Sequence, residues 1–406
     1  MSHYAARISA MEGEVQKLKV LTESLVNPGI VSFAGGAPGK EAYPFDQLRE
    51  IAQEVFRPGP MGYESMKYGS SIGVTELREE IRDKLLAPRG LSVKLENIMV
   101  TAGGIQPMNL LSQLYLDPGD SILVETPSFV HTSMIFKMFQ ANFVPCAMDD
   151  DGLVMEDVEE KIQKHHPKFI YTVPTFQNPT GVTMSLERRK RLAQLAAQYD
   201  VVVLEDDPYR EIRYSGETLP YIKSFDTSGN VILANSFSKI FSPGARLGYI
   251  VAEPEIIDKL CNVKLGTDTC TNTVTQCLCA EFFRKGYYPD HLRRLCDLYR
   301  SRRDALLRAI DASFPEGTKH TLPDGGYYAW VELPEGLNAS AMKGEVAEKL
   351  NLCYGDGAIF FSEGTPAGSG CNCMRLNFSG LDEETIDTYI RKLGAFFCEK
   401  LEEASK

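Results

Sequence analysis

Short apolar runs recur along the chain, and several of them end in a polar or glycine-rich turn that a helical pattern follows. The runs lie at residues 98–101, 121–124, 169–173, 201–204 and 231–234. The clearest helical pattern, SLERRKRLAQLAAQY, has Ser185 in the N-cap position. Continuous apolar runs of this length are typical of buried parallel strands with helices on both faces of the sheet. The pattern predicts an α/β fold whose ligands bind beyond the carboxyl ends of the strands.

The pattern changes at about residue 291. A charged helical segment is followed there by a strand at 324–331, a helical pattern around 339–350, a strand at 374–378 and a final amphipathic helix. This order predicts a second, smaller α+β domain. A length of 406 residues also suggests two or three domains. We expect an N-terminal arm and part of the small domain at 1–45, a large domain at 46–290 and a small domain at 291–406.

Composition excludes several classes of partner. The chain has 43 Lys and Arg against 55 Asp and Glu, a formal net charge of −12, which disfavours binding to nucleic acid. No apolar run approaches the roughly 18 residues of a membrane span, and the N-terminal segment lacks the apolar core of a signal peptide. The ten cysteines include no CxxC pair, so we expect reduced thiols and no metal site. We expect a cytoplasmic protein that binds neither nucleic acid nor membrane.

Lys239 follows a predicted buried strand in the segment SFSKIFSPG, which is rich in small and polar residues. A buried lysine is costly unless its amine has a task. Desolvation and a neighbouring cation such as Arg246 lower the pKa of a lysine, and the neutral amine attacks carbonyl groups to form a Schiff base. Taken alone, Lys239 would more simply be a loop lysine that reaches solvent.

The segment EDDPY, residues 205–209, ends another predicted strand. Its Asp206 could hold a protonated pyridine nitrogen, an ion pair that makes the ring of a pyridoxal cofactor an electron sink. Tyr209 and Asn178 could donate hydrogen bonds to the phenolic oxygen of the same ring. Taken alone, the three acidic residues could equally form a magnesium site or an acidic turn, and Asn178-Pro179-Thr180-Gly181 is most often a turn before a helix.

The pair Gly103-Gly104 precedes a helical pattern, and a helix N-terminus binds anions because its first N–H groups are unpaired. Ser236, Ser238 and Arg246 could supply the remaining contacts to a phosphate. Arg375 lies on a late predicted strand and could bind a substrate α-carboxylate through two hydrogen bonds. Each feature also has a simpler interpretation, a helix-entry turn for the glycines and an ordinary salt bridge for Arg375.

Together these segments resemble the fold-type I aminotransferases of class I and II. The resemblance rests on Asn178-Pro-Thr-Gly, on Asp206 with Tyr209 three residues later, and on Ser-x-Ser-Lys239 with Arg246 seven residues later. The stretches SFAGGAP, from residue 32, and YGSSIG, from residue 68, are similar to the 2-aminoadipate and kynurenine aminotransferase subgroup. That subgroup is close to the aminotransferase half of certain bacterial transcription regulators, whose DNA-binding half this sequence does not show.

The resemblance implies a large domain with a mostly parallel seven-stranded sheet between helices, a smaller α+β domain, and a homodimer with shared active sites. It implies pyridoxal 5′-phosphate as cofactor, with Lys239 as the Schiff-base lysine that also moves a proton between the substrate Cα and the cofactor C4′. The other expected cofactor contacts are Asp206, Asn178, Tyr209 and Phe129 at the ring, and Gly103, Gly104, Ile105, Ser236, Ser238, Arg246 and Tyr68 of the partner subunit at the phosphate. The expected substrate contacts are Gly35, Asn178 and Arg375.

Two positions depart from the common family pattern. Gly104 stands where relatives often carry a hydroxyl residue, so one side-chain contact to the phosphate is lost. Phe129 stands where many relatives carry a tyrosine, which keeps the stacking on the ring and loses the hydroxyl. Both residues are consistent with binding of the cofactor.

The expected activity is transfer of an amino group from an L-amino acid to a 2-oxo acid. The donor is expected to be 2-aminoadipate or an aromatic or branched-chain amino acid, and the acceptor 2-oxoglutarate. A lyase or decarboxylase on the same fold, and a non-catalytic regulatory module that keeps the cofactor as a sensor, would share the same residues. A magnesium phosphotransferase that uses residues 205–207 is a further alternative, and it predicts metal-dependent activity.

Overall fold

The computed structural model describes residues 3–23 and 29–404. The helices are α1 (Ala6–Glu23), α2 (Phe45–Val55), α3 (Pro60–Met66), α4 (Thr75–Glu80), α5 (Ile105–Tyr115), α6 (Val130–Met138), α7 (Met155–His165), α8 (Leu186–Tyr199), α9 (Pro254–Leu265), α10 (Thr273–Arg284), α11 (Tyr288–Ser313), α12 (Ala339–Leu350) and α13 (Glu383–Ala404). The strands are β1 (Val31–Phe33), β2 (Ile98–Thr101), β3 (Ser121–Thr126), β4 (Asn142–Asp149), β5 (Gly152–Leu153), β6 (Phe169–Thr172), β7 (Val202–Asp206), β8 (Val231–Ser236), β9 (Gly248–Val251), β10 (Lys319–His320), β11 (Tyr328–Glu332), β12 (Leu352–Asp356) and β13 (Cys373–Asn377).

The larger sheet has the strand order β2-β9-β8-β7-β6-β3-β4-β5. The five strands from β8 to β4 in this order run parallel, whereas β9 is antiparallel to both of its neighbours. The expected mostly parallel sheet of seven strands is confirmed, and the two-residue β5 adds a short antiparallel strand at one edge. Every residue of β2, β6 and β8 is buried, which explains why these strands are apolar without alternation.

The strand directions bring several turns to one edge of this sheet. Strands β6, β7 and β8 lie side by side in parallel, so the residues that follow them open at the same edge. Strand β2 is antiparallel to β9, which is antiparallel to β8, so β2 also ends at that edge. Residues that are far apart in the sequence therefore converge there, as is usual for ligand sites in open α/β sheets.

A second sheet has the strand order β1-β12-β13-β11-β10. Its strand β1 comes from the N-terminal part of the chain and pairs in parallel with β12. Helices α11 and α13, which belong to the same C-terminal part, pack against each other. This arrangement has the α+β character expected of the small domain, and the domain boundaries at residues 45 and 290 stay a prediction. Within the described ranges no helix is both long and apolar enough to cross a membrane.

Candidate active site

Lys239 lies three residues beyond β8, and its half-buried side chain is at the edge of the larger sheet where the turns after β2, β6, β7 and β8 meet. Its Nζ donates a hydrogen bond of 2.7 Å to the carbonyl oxygen of Gly36. The same Nζ lies 5.0 Å from the ring centroid of Tyr327 and 5.7 Å from that of Tyr209. Within the described part of the chain no carboxylate pairs with this amine, so it faces an aromatic and carbonyl environment rather than an ion pair.

The electrostatic setting of Lys239 favours the neutral amine. Burial, together with the positive charges of Arg375 and Arg246, lowers the pKa of Lys239 to about 8. A lysine with an ordinary pKa is almost fully protonated at neutral pH, whereas the amine of Lys239 is neutral in an appreciable fraction of molecules at the same pH. The amine is therefore suited to attack a carbonyl group or to accept a proton.

This lowered pKa predicts how the apoprotein captures added pyridoxal phosphate. Only the neutral amine attacks the carbonyl, so the rate is expected to rise by about tenfold for each pH unit below 8 and to level off above that pH. Stopped-flow absorbance over a pH series, with Lys239→Ala as the blank, measures this rate. A rate that keeps rising to the pKa of an ordinary lysine would contradict the proposed environment.

Asp206 is the last residue of β7 and is buried. Its Oδ2 accepts a hydrogen bond of 2.9 Å from the hydroxyl of Tyr171. Burial raises the pKa of Asp206 to about 7, the Tyr171 hydroxyl opposes this rise, and the carboxylates of Asp207 and Glu125 add to it. A buried carboxylate with no cationic partner is stabilised by any cation placed beside it. The donor set therefore fits a protonated pyridine nitrogen.

The neighbouring acidic residues do not act with Asp206 as a metal site. Glu205 accepts hydrogen bonds of 2.9 Å from the backbone N–H groups of Ile222 and Lys223. Asp207 forms a buried ion pair with Arg210 at 2.6 Å. The three carboxylates thus have three different sets of partners, and no group of three His, Cys, Asp or Glu side chains in the described ranges could hold a metal ion. The geometry does not support the magnesium alternative.

Two glycines, Gly103 and Gly104, form the turn where β2 leads into α5. A Cβ added to Gly103, whose φ is +80°, would lie 2.2 Å from Nη2 of Arg246. A Cβ added to Gly104 would lie 3.0 Å from Cβ of Ser236, whose hydroxyl donates to Oγ of Ser238 at 3.0 Å. Helix α5 begins directly after Gly104 and has no side-chain N-cap. Unpaired N–H groups at the start of α5, two hydroxyls and a guanidinium group packed closely against the two glycines fit a phosphate.

Arg375 on β13 is buried and has no carboxylate partner among the described residues. Its Nη1 donates to Oδ1 of Asn178 at 2.7 Å, its Nη2 donates to the carbonyl oxygen of Ala34 at 2.5 Å, and its buried Nε has no hydrogen-bond partner. The guanidinium group lies 4.2 Å from the ring centroid of Tyr328 and 4.8 Å from that of Phe360. The simpler interpretation, a strand-end salt bridge, is therefore wrong. A buried guanidinium group that lacks an anion is suited to bind a substrate carboxylate.

Comparisons with known proteins identify the family of this chain. The model of the family "Aminotransferase class I and II" matches residues 39–393. The chain belongs to this family. Aromatic-amino-acid aminotransferase 1 of Thermococcus litoralis is 37% identical to it over 96% of this chain and 92% of the relative. The 2-aminoadipate transaminase of Thermus thermophilus is 33% identical over 96% of this chain and 94% of the relative.

Solved structures agree with this assignment. Kynurenine aminotransferase of Pyrococcus horikoshii, determined with PMP, has a TM-score of 0.89 and 36% identity over 98% of both chains. LysN of Thermus thermophilus, an α-aminoadipate aminotransferase complexed with a phosphopyridoxyl-leucine, has a TM-score of 0.88 and 31% identity over 98% of both chains. The expectation of an aminotransferase that uses pyridoxal phosphate is confirmed.

The remaining predicted site residues of this aminotransferase differ in their burial and in their distance from Lys239 and Arg375 along the fold. Gly35 lies between the residues whose carbonyl oxygens accept from Arg375 and Lys239. Phe129 is half-buried at the start of α6, and Ile105 is the first residue of α5. The Tyr68 side chain is 90% exposed, so it contributes little to the site of its own chain. The expected contact from the partner subunit stays a prediction, as do the individual roles of the other site residues.

Glu125 was not predicted from the sequence as a site residue, but the fold places it in contact with the turn that carries Asn178. The Glu125 carboxylate is fully buried at the end of β3 and accepts hydrogen bonds from Thr172 Oγ1 (2.5 Å), Val173 N–H (3.0 Å) and Gln177 Nε2 (3.0 Å). Burial raises the pKa of Glu125 to about 7. Gln177 directly precedes Asn178, so Glu125 helps to hold the turn that carries Asn178. The sequence contained a signal, because the acidic Glu125 directly follows the apolar run 121–124 just as Glu205 and Asp206 follow the run 201–204.

Proposed function

We propose that this aminotransferase moves the amino group of an aromatic or branched-chain L-amino acid to 2-oxoglutarate. The observation that carries the proposal is that the amine of Lys239 and the unpaired guanidinium group of Arg375 lie at one site with aromatic walls, Tyr327, Tyr328 and Phe360. Such walls favour donors with apolar side chains. The donor 2-aminoadipate is a second candidate, since one relative is a 2-aminoadipate transaminase.

Each residue has a role that follows from its position. When bound, pyridoxal phosphate supplies a carbonyl group and an electron-accepting ring. Lys239 would hold the cofactor covalently and, once freed by an amino acid, its neutral amine would accept the proton of the substrate Cα as a general base and return it as a general acid. Asp206 keeps the ring nitrogen protonated, and Arg375 orients the α-carboxylate.

The other contacts hold the cofactor in place. Asn178 and Tyr209 would donate hydrogen bonds to the phenolic oxygen, and Phe129 would stack on the ring. The phosphate is bound by the backbone of Gly103, Gly104 and Ile105 and by the side chains of Ser236, Ser238 and Arg246. Gly35 borders the substrate and leaves room for it. The close approach of the Arg246 guanidinium group to Gly103 and the uncapped start of α5 support the phosphate assignment.

Arg375→Lys is expected to raise the KM for the amino acid by roughly 10–100-fold with a smaller change in kcat. A lysine keeps the positive charge but cannot form the bidentate contact, and a hydrogen bond to a charged group contributes about 1.5–3 kcal/mol. Steady-state kinetics with the best donor measure this split. Arg308→Lys on α11, which exchanges an arginine outside the site, should leave KM unchanged. A KM unchanged in Arg375→Lys would remove Arg375 from the substrate site.

A panel of donors tests the substrate assignment. Aromatic, branched-chain and dicarboxylic L-amino acids are each assayed with 2-oxoglutarate, and the 2-oxo acid product is quantified by mass spectrometry. The proposal predicts the highest kcat/KM for an aromatic or branched-chain donor. A preference of more than about tenfold for 2-aminoadipate would mean that a cation recognises its distal carboxylate.

We further propose that the protein is a cytoplasmic homodimer with shared active sites. Large apolar side chains are exposed in and just after α3, with Tyr63 at 69%, Met66 at 66% and Tyr68 at 90% exposure. Contiguous exposed apolar side chains mark interaction surfaces, and Tyr68 would reach the phosphate of the partner subunit. The ten free cysteines are consistent with a reducing compartment. Sedimentation equilibrium of wild type and Met66→Glu tests the interface.

A further inference from the structure

A cavity lies away from the active-site residues. It has a volume of about 600 Å³ and lies between the segment at Lys84–Arg89, the loop after β7 and the first turns of α11. The apolar part of its wall includes Phe283, Pro289 and Leu292. None of the residues assigned to the cofactor or the substrate lines it. The volume falls within the range of small-molecule sites, about 300–1,000 Å³.

The charged part of the wall is strongly positive, in a protein whose net charge is −12. The lining cations are Lys84, Arg89, Arg210, Arg213 and Arg293, and the lining carboxylate is that of Glu211. Three of the cations are already neutralised, Arg89 by Glu211, Arg210 by Asp207 and Arg293 by Asp290. Within the described ranges Lys84 and Arg213 form no direct ion pair, although the carboxylate of Asp324 acts on Arg213 and that of Glu80 interacts with Lys84 through space.

We propose that this cavity binds a small organic anion with an apolar, preferably aromatic, body. The apolar wall would bury the body of such a molecule, and Lys84 and Arg213 would compensate its charge. A neutral ligand would gain nothing from the excess positive charge of the wall, and a cationic ligand would be repelled. Burial of apolar surface and charge complementarity thus favour the same class of occupant.

The choice of test variants follows from the contacts of these residues. The guanidinium group of Arg213 lies 4.6 Å from the ring centroid of Phe176, two residues before Asn178, so replacing Arg213 would also disturb the active site. Lys84 is exposed and Leu292 is half-buried, so both tolerate substitution better. Lys94, with an 80% exposed side chain outside the cavity, provides the matched control for a charge reversal.

Isothermal titration calorimetry of the holoenzyme with 2-naphthoate tests the proposal. The affinity is expected to fall by tenfold or more in Lys84→Glu and in Leu292→Glu, and to change by less than twofold in Lys94→Glu and in Arg375→Lys. Uncharged 2-naphthamide is expected to bind at least about tenfold more weakly than 2-naphthoate. Thermal unfolding of each variant confirms that it is folded.

Three results would overturn the proposal. The first is an absence of measurable binding at millimolar 2-naphthoate. The second is binding that is lost in Arg375→Lys and retained in Lys84→Glu, which would place the anion in the active site. The third is equal affinity for 2-naphthoate and 2-naphthamide, which would show that the cations of the cavity do not recognise charge.

Discussion

Lys239→Ala is expected to lower kcat for transamination by about 10⁴-fold, the upper end of what a positioned general acid and base contributes. The variant would lose the covalent attachment of the cofactor and also the only amine that the described part of the chain places at this site to move the Cα proton. Two measurements check this result, the rate of 2-oxo acid formation and the mass of the borohydride-reduced cofactor peptide. The wild-type peptide that contains Lys239 should carry the cofactor.

The matched control for this variant is Lys94→Ala, which removes an exposed amine and should retain full activity. Exogenous methylamine should partly restore turnover in Lys239→Ala, because a small amine can enter the space that the side chain leaves. Cofactor attachment to another lysine, or a kcat within tenfold of wild type, would contradict the assignment of Lys239.

Asp206→Asn is expected to lower kcat by roughly 10²–10³-fold, the size of effect seen when one preorganised electrostatic contact to a reacting group is removed. Asparagine can still accept the hydrogen bond from Tyr171, so the fold and the position of the side chain are preserved. It cannot stabilise a protonated ring nitrogen, and the ring becomes a weaker electron sink. Pre-steady-state absorbance measures the rate of Cα proton removal directly.

Two controls accompany the Asp206 prediction. Asp258→Asn removes an exposed carboxylate on α9 and should have no effect on kcat. A cofactor analogue that carries a fixed positive charge at the ring nitrogen should recover much of the lost rate in Asp206→Asn. A normal rate of proton removal in Asp206→Asn would show that the carboxylate does not act on the ring.

The core of the α/β sheet could be predicted from the sequence because its strands are buried on both faces. Strands β2, β3, β6, β7 and β8 coincide with the five apolar runs. Strand β4, which lies between β3 and the short edge strand β5, was not predicted, because its buried and exposed positions are mixed and it contains Pro145. The three-residue β1 was not predicted either, because it depends on pairing with β12, more than 300 residues later in the chain.

The site residues could be predicted where a motif or a strand end marked them. Lys239, Asp206 and the Gly103-Gly104 turn all follow predicted strands. The setting of Arg375 could not be predicted, because its lack of a carboxylate partner depends on β13 pairing with β11 and β12. The support that Glu125 gives to the Asn178 turn likewise depends on contacts between β3 and the loop after β6.

We propose that this chain transfers amino groups in two half-reactions through Lys239 and its cofactor. The most direct test is the visible absorption spectrum of the purified holoenzyme, recorded before and after an aromatic L-amino acid is added, and again after 2-oxoglutarate. We expect the amino acid to abolish the visible band with release of one 2-oxo acid per site, and 2-oxoglutarate to restore the band. A band that the amino acid abolishes and 2-oxoglutarate does not restore, with release of ammonia or carbon dioxide, would contradict transamination.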